Sequence, residues 1–393
     1  MDKLKKNIGF QLPVILCIIL ILILIILPTG YEDSIIYQGT DRCSAKVLKT
    51  DESEIISTGL IKSGEQTCQI ELLGGKFEGT ITQGYNLLNG SLESDKIFEV
   101  GDRALVVISY QEDKILSVNM IDHYRIGYEI VLLILFAIAL IAFARVIGIR
   151  SLLSFAISIL SIWKILVPLC LKGYDPVVIG LMLVCMIAVV ILSLVYGFDK
   201  RFLSAFSGVL LGILITCVLG IFFTSLFKIH GAIMANSESL LYSGYQNLNL
   251  TRIFMSSIFI GASGAVIDIA VDITSAIAEV VQKKPEIEWK EASKSGFNIG
   301  RAAMGTMTTT LLLAYSGGYL ALLMVFMAQG TPIANILNYK YVAGEIIQTV
   351  VGCFGLVAVA PFTAVIGGWL LTRDQLTGSV TINEVPSSEE LLT

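Results

Sequence analysis

The stretch GASGAVIDIAVDITSAIAEV, residues 261 to 280, sets Asp268 and Asp272 inside a run otherwise apolar enough to cross a membrane. Gly261, Gly264, Asp268, Asp272, Ser275 and Glu279 are spaced 3, 4, 4, 3 and 4, so all six share one face of a helix over five turns. The opposite face carries Phe259, Val266, Ile269, Ile273 and Val280, which suits lipid or apolar protein. An ionised aspartate near the centre of a membrane helix costs about 2.5 to 3.5 kcal/mol, so two of them require partners, water, a cation or a proton. Two roles fit Asp268: a neutral carboxyl that glues two helices together, and a site for a proton or cation. We take the second as the expectation.

A similar stripe follows. Ala303, Thr306, Thr310, Ala314, Gly317 and Ala321 have the same spacing of 3, 4, 4, 3 and 4. Counting from span ends near Val280 and Gly300 at 1.5 Å per residue, Asp268 lies about 18 Å deep, Asp272 about 12 Å, Thr306 about 9 Å and Thr310 about 15 Å. These depths predict that carboxylates and hydroxyls meet in a polar site between the two helices. Small residues such as Gly261 and Gly264 let the partner backbone approach. Glu279, nearer the end, is expected to pair with Lys283 or with Arg301.

The elements that must hold these residues are membrane helices. The chain has 393 residues, 55% hydrophobic and 15% charged, with a mean hydropathy of +0.78, which marks a polytopic membrane protein. Eight segments are long and apolar enough to span: 11–28, 129–147, 151–171, 176–197, 202–226, 253–279, 300–328 and 344–371. Lys3, Lys5 and Lys6, then Arg145 and Arg150, Lys200 and Arg201, Lys283, Lys284, Lys290 and Lys294, and Arg373 all fall on one side if both termini are cytoplasmic. The first span is expected as a retained anchor, although Lys-rich residues before an apolar core also describe a signal peptide.

Residues 31–125 contain no long apolar run and carry 16 Asp and Glu against 9 Lys and Arg. Alternating segments such as TCQIELL and ALVVISY, with turn signals at Gly64, Gly74-Gly75, Asn89-Gly90 and Gly101-Asp102, predict a small extracytoplasmic β-barrel, OB-like in type. Cys43 and Cys68 face an oxidising compartment, where a disulfide between them is one outcome. The other five cysteines sit in apolar runs as small packing residues. The domains are therefore 1–30, a cytoplasmic tail and anchor; 31–125, the β-rich domain; 126–372, seven membrane helices; and 373–393, a cytoplasmic tail.

Further residues carry narrower expectations. Lys164 in the third span either snorkels or pairs with Asp175. The loop KKPEIEWKEASKSGFNIGR is compatible with an interfacial helix over Glu286 to Ser295 and with a solvated connector. Glu345 opens the last span near its outer end, beside Gln348, as a supporting polar group. Pro361 frees a carbonyl within that span and kinks it, and YSGG at 315 to 318 interrupts the one before. Gly208, Gly212, Thr216 and Gly220 place small residues every fourth position for close packing.

The motifs GASGAVID, GRAAMGTMTTTLLLAYSGG, EIIQTVVGCFG, VAPFTAVIGG and EVGDRALV make the chain similar to the YibE/F family of bacterial multipass membrane proteins. The resemblance extends over nearly the whole chain and is most specific from 261 to 318. It implies a permease-like protein in which Asp268, Arg301, Gly305 and Thr306 belong to a shared core. Thr309, where the family pattern suggests an amide, and the second acid Asp272 are departures.

The leading expectation is a proton- or cation-coupled transporter of unidentified substrate, not an enzyme. Asp268, Asp272, Thr306 and Thr310 bind the ion or substrate, and Gly261, Gly264, Arg301, Gly305 and Glu345 support them. A scaffold or assembly factor with a partner-binding outer domain is the alternative, and an intramembrane aspartyl hydrolase a weaker one, since such enzymes place their acids on different helices. No cofactor or metal site is expected. The expected partners are the lipid bilayer, a small ion or metabolite, and a further copy or another membrane subunit, with no nucleic acid. ATP-driven transport would need separate subunits, because the chain has no Walker motif.

Overall fold

The computed structural model describes residues 2–31 and 39–373, with side chains from residue 11 onward. Lys3, Lys5 and Lys6 and the expected tail beyond Arg373 lie outside the described side chains. The chain divides into two units: residues 30–148, and residues 1–29 with 149–393.

The first unit contains the expected barrel. β1 (Thr40–Thr58), β2 (Ile61–Leu72), β3 (Ile81–Asn89), β4 (Arg103–Gln111) and β5 (Lys114–His123) close in the order β1-β2-β3-β5-β4. All pairs are antiparallel except β3 and β5, which meet in parallel at Tyr85 and Asn119. Alternate residues point inward, so Ala45, Val47, Ile70, Leu72, Val106, Ile108 and Val118 form the core with Phe98. The β3–β4 connection is held by two fully buried amides. Gln66 Nε2 donates to the Phe98 carbonyl at 2.8 Å while its Oε1 accepts from the Phe98 amide at 3.0 Å. Asn86 Nδ2 donates to Gln66 Oε1 and to the Lys96 carbonyl.

Two sequence expectations change in this unit. Gly64 is not a turn: it lies inside β2 at φ +119, where a Cβ would come within 2.1 Å of the Glu54 carbonyl oxygen. The hairpin turn falls at Gly59 and Leu60 instead, between β1 and β2. Cys43 and Cys68 are both free and buried. Cys68 pairs across the strands with Thr50, seven residues along β1 from Cys43, which is about 20 Å at the rise of a strand, so no disulfide joins them. Burial, with Glu52 adding to it, pushes the Cys68 thiol up to about 11. Burial also raises the Cys43 thiol, with Asp41 nearby.

The helical part contains α1 (Asp2–Ile26), α2 (Ile126–Ser161), α3 (Pro176–Tyr196), α4 (Lys200–Leu226), α5 (Leu250–Lys283), α6 (Trp289–Ser316) and α7 (Lys340–Thr372). Six stretches among the described residues are long and apolar enough to cross a membrane, and Gln11–Ile26 is a shorter apolar helix. The second and third expected spans are joined in one of the six, Ile126–Leu171, with 46 residues. A break at Arg145 (φ 49, ψ −120) stands beside the expected link, and a Cβ on Gly148 would come within 2.6 Å of the Leu140 carbonyl oxygen, a contact that eight residues of straight helix, with about 12 Å of rise, do not make. α6 begins at Trp289, so of the two alternatives for the preceding loop the helical one holds from that residue onward and continues into the span, and YSGG becomes a 3-10 turn at Gly317–Tyr319 before a short helix, Leu320–Ala328. α7 is helical through Pro361.

The core of this unit is built around α5, whose apolar face, Phe259, Val266, Ile269 and Ile273, is buried. α4 and α7 lock together where glycines receive hydroxyls. A Cβ on Gly208 would lie 1.9 Å from Thr363 Oγ1, and one on Gly355 would lie 2.1 Å from Thr216 Oγ1. Gly367 faces Ser204 in the same way, and Gly368 faces Ser293 of α6. α1 packs by Cys17 and Leu24 against Ile157, Val190 and Leu194. Lys164 donates to the Leu27 carbonyl at the end of α1 at 3.0 Å, where the helix dipole favours a cation. It does not pair with Asp175, which caps α3 and bridges Arg252.

Candidate functional site

The periodicity of α5 places its two faces as read from the sequence, one apolar and one polar. The apolar face meets protein, not lipid. The polar face, Gly261, Gly264, Asp268, Asp272, Ser275 and Glu279, is exposed along its whole length. Asp268 and Asp272 lie one helical turn apart, about 6 Å by rise, and neither has a hydrogen bond or ion pair among the described residues. Glu279 pairs with Lys283 at 2.6 Å, one of its two expected partners.

The expected meeting of carboxylates with threonines does not occur within the chain. Thr306 donates to the Ala303 carbonyl and Thr310 to the Thr306 carbonyl, both on their own helix. Both are exposed, as are Arg301, Gly305 and Thr309. α6 instead packs on α5 and α7 by another face: a Cβ on Gly300 would touch Ile273 and Ala360, and one on Gly296 would touch Ile277 and Ala364. The stripe of α6 and the packed face of α6 are different residues. Shared spacing in two helices does not establish that they face each other.

Two tyrosines escaped the sequence reading. Tyr196, at the end of α3, donates its hydroxyl to the Val271 carbonyl at 2.8 Å and lies 2.7 Å from the Ser275 hydroxyl, flanking the stripe beside Asp272. Tyr315 of α6 flanks the other end, its hydroxyl where a Cβ on Gly261 would stand. That hydroxyl is buried without a hydrogen-bond partner, and so is Oε1 of the half-buried Glu345. Glu345 lies close to the Tyr315 and Tyr319 hydroxyls. The supporting acid thus lies near this end of the stripe, beside Tyr315. No local signal links Tyr196 to Ser275, 79 residues away, or Glu345 to Gly261.

The polarity of this face contrasts with the rest of the unit. The exposed large side chains of α4 include Leu203, Leu214, Val218 and Phe222, and those of α7 include Ile346, Val350, Phe354, Val357 and Val365. Ionisable groups at membrane depth are found against protein or a water-filled cavity. The described residues contain no cluster of three or more metal-ligating side chains. The arrangement can hold a proton or a small cation between carboxylates.

The sequence profile of the family described as YibE/F-like protein matches residues 132–373. The chain belongs to the YibE/F-like family. The matched segment includes both polar stripes, Tyr196, Tyr315 and Glu345, and leaves the barrel outside it. Among curated proteins and among solved structures, no match is found. With its long apolar helices, this family member is a membrane protein.

Proposed function

We infer that the protein is a proton- or cation-coupled transporter in which Asp268 and Asp272 bind the coupling ion. The observation that carries this reading is the pair of unpartnered carboxylates on the polar face of α5, at a depth where an idle charge is costly. The ion exchanges between the carboxylates and water at the exposed face between Tyr196 and Tyr315, and Glu345 supplies a further acid at the opposite end of the stripe from Glu279. The substrate is a small ion or metabolite. Both acids sit on one helix, which argues against a paired-aspartate hydrolase and for a non-enzymatic protein without a cofactor.

The chain lies in a bacterial cell membrane with both termini in the cytoplasm, by the distribution of Lys and Arg. The barrel is then extracytoplasmic, and its strand order with a parallel β3–β5 contact supports the OB-like reading. A scaffold role draws support from one feature: exposed Ile56, Leu60 and Ile61 at the β1–β2 hairpin, which suit a partner.

Coupled flux in proteoliposomes, screened over inorganic ions and small metabolites under a pH or cation gradient, tests the transport reading. Asp268→Asn keeps shape and hydrogen bonding but cannot ionise. It is expected to express and melt like the wild type while losing coupled flux. Flux equal to wild type from pH 5 to 8 would leave the scaffold reading ahead.

A further inference from the structure

We propose that a second copy of this chain covers the polar face of α5 and α6, so that the carboxylate site is completed across a two-fold interface. Four observations converge on it. The carboxylates of α5 and the hydroxyls of α6 are all exposed within one chain, although the perimeter formed by α4 and α7 is apolar. Gly264 and Gly305, one on each helix, look onto open space, with nothing within 4 Å of an added Cβ. Their small size serves no contact inside the chain and admits a close neighbour. The face is also complementary to itself, since α5 presents Asp268 and Asp272 and α6 presents Arg301, a cation with no ion pair among the described residues.

A two-fold axis along the membrane normal preserves depth and sets α5 of one copy against α6 of the other, as an isologous contact requires. The packing of Gly300 on Ile273 and of Gly296 on Ile277 fixes the level of α6 against α5, and by that register Arg301 stands level with Asp272 and Thr306 within one residue of Asp268. Across the axis each acid of one copy therefore meets a cation or a hydroxyl of the other. Lipid offers these groups no hydrogen bond. The inference concerns the same carboxylates as the transport reading but does not rest on it, and its test reads contact without flux.

The test uses the full chain in its native membrane with a photoreactive benzoylphenylalanine at Thr309 on the proposed face or at Val218 on the apolar face of α4. Irradiation is expected to give at least tenfold more covalent dimer from position 309 than from 218, with the adduct mapping to residues 261–279 of the other copy. Ala302, exposed on the same face, repeats the measurement if the first variant expresses poorly. Three results would overturn the proposal: adducts to lipid alone, adducts to a different protein, or a dimer formed through position 218.

Discussion

Gly208, Gly355, Gly367 and Gly368 on α4 and α7 are each filled by a neighbouring hydroxyl, whereas Gly264 on α5 and Gly305 on α6 meet nothing within 4 Å. A glycine in a helix costs roughly 1 kcal/mol relative to alanine, so each set needs a return. At the α4–α7 seam that return is close packing inside the chain. On the α5–α6 face it lies outside the chain, where polar groups also collect. Helical spacing alone does not separate the two cases, because both show small residues every third or fourth position.

The contrast breaks most visibly with one added side chain. Gly355→Val drives a branched side chain into Thr216, whose Oγ1 already stands 2.1 Å from the ideal Cβ. Overpacking of this kind costs about 1 to 3 kcal/mol, and loss of folded protein in size-exclusion chromatography is expected. Gly305→Val meets open space, so the melting temperature is expected to stay near wild type while the yield of cross-linked dimer falls severalfold. Equal losses of fold at 305 and 355 would erase the distinction.

A smaller effect is expected where the stripe is pinned from the side. Tyr196→Phe removes the hydroxyl bonded to the Val271 carbonyl and is expected to lower stability by about 1 kcal/mol, measured by thermal denaturation in detergent. Lys283→Ala, which opens the exposed bridge to Glu279, is expected to change stability by less than about 0.5 kcal/mol.

The barrel offers a pH test outside the membrane. The Cys68 thiol rises from 9.0 to about 11 on folding, so the unfolded chain ionises first. Stability contributed by the neutral thiol is complete below pH 9 and is lost as pH rises toward 11, by up to about 1.4 kcal/mol per pH unit. Cys68→Ala removes that alkaline slope. Native Cys68 is also expected to resist alkylation at pH 8 until the barrel unfolds.

Much of this architecture was legible because periodicity is local. Spacing assigned Asp268, Asp272 and Ser275 to one face of α5 and Phe259, Val266 and Ile273 to the other, and alternation marked the strands. What a face meets depends on contacts distant in sequence. Lys164 reaches the Leu27 carbonyl, 137 residues away, while the nearer Asp175 goes to Arg252. Thr306 and Thr310 matched the aspartates in depth when counted from the expected span ends, yet α6 packs by Gly296 and Gly300, and Gly300 on Ile273 sets Thr310 level with Ser263 instead. Gly64 illustrates the same limit in the barrel, since a glycine allowing close approach inside a strand has the same letter as a glycine in a turn.

The most direct test of the carboxylate site is ion binding to the purified chain in lipid nanodiscs, followed by calorimetry over a series of monovalent and divalent cations and by proton release. The wild type is expected to bind a cation in exchange for protons, and the double variant Asp268→Asn, Asp272→Asn to lose both signals while keeping its melting temperature. Identical binding and proton release by the two proteins would contradict the account.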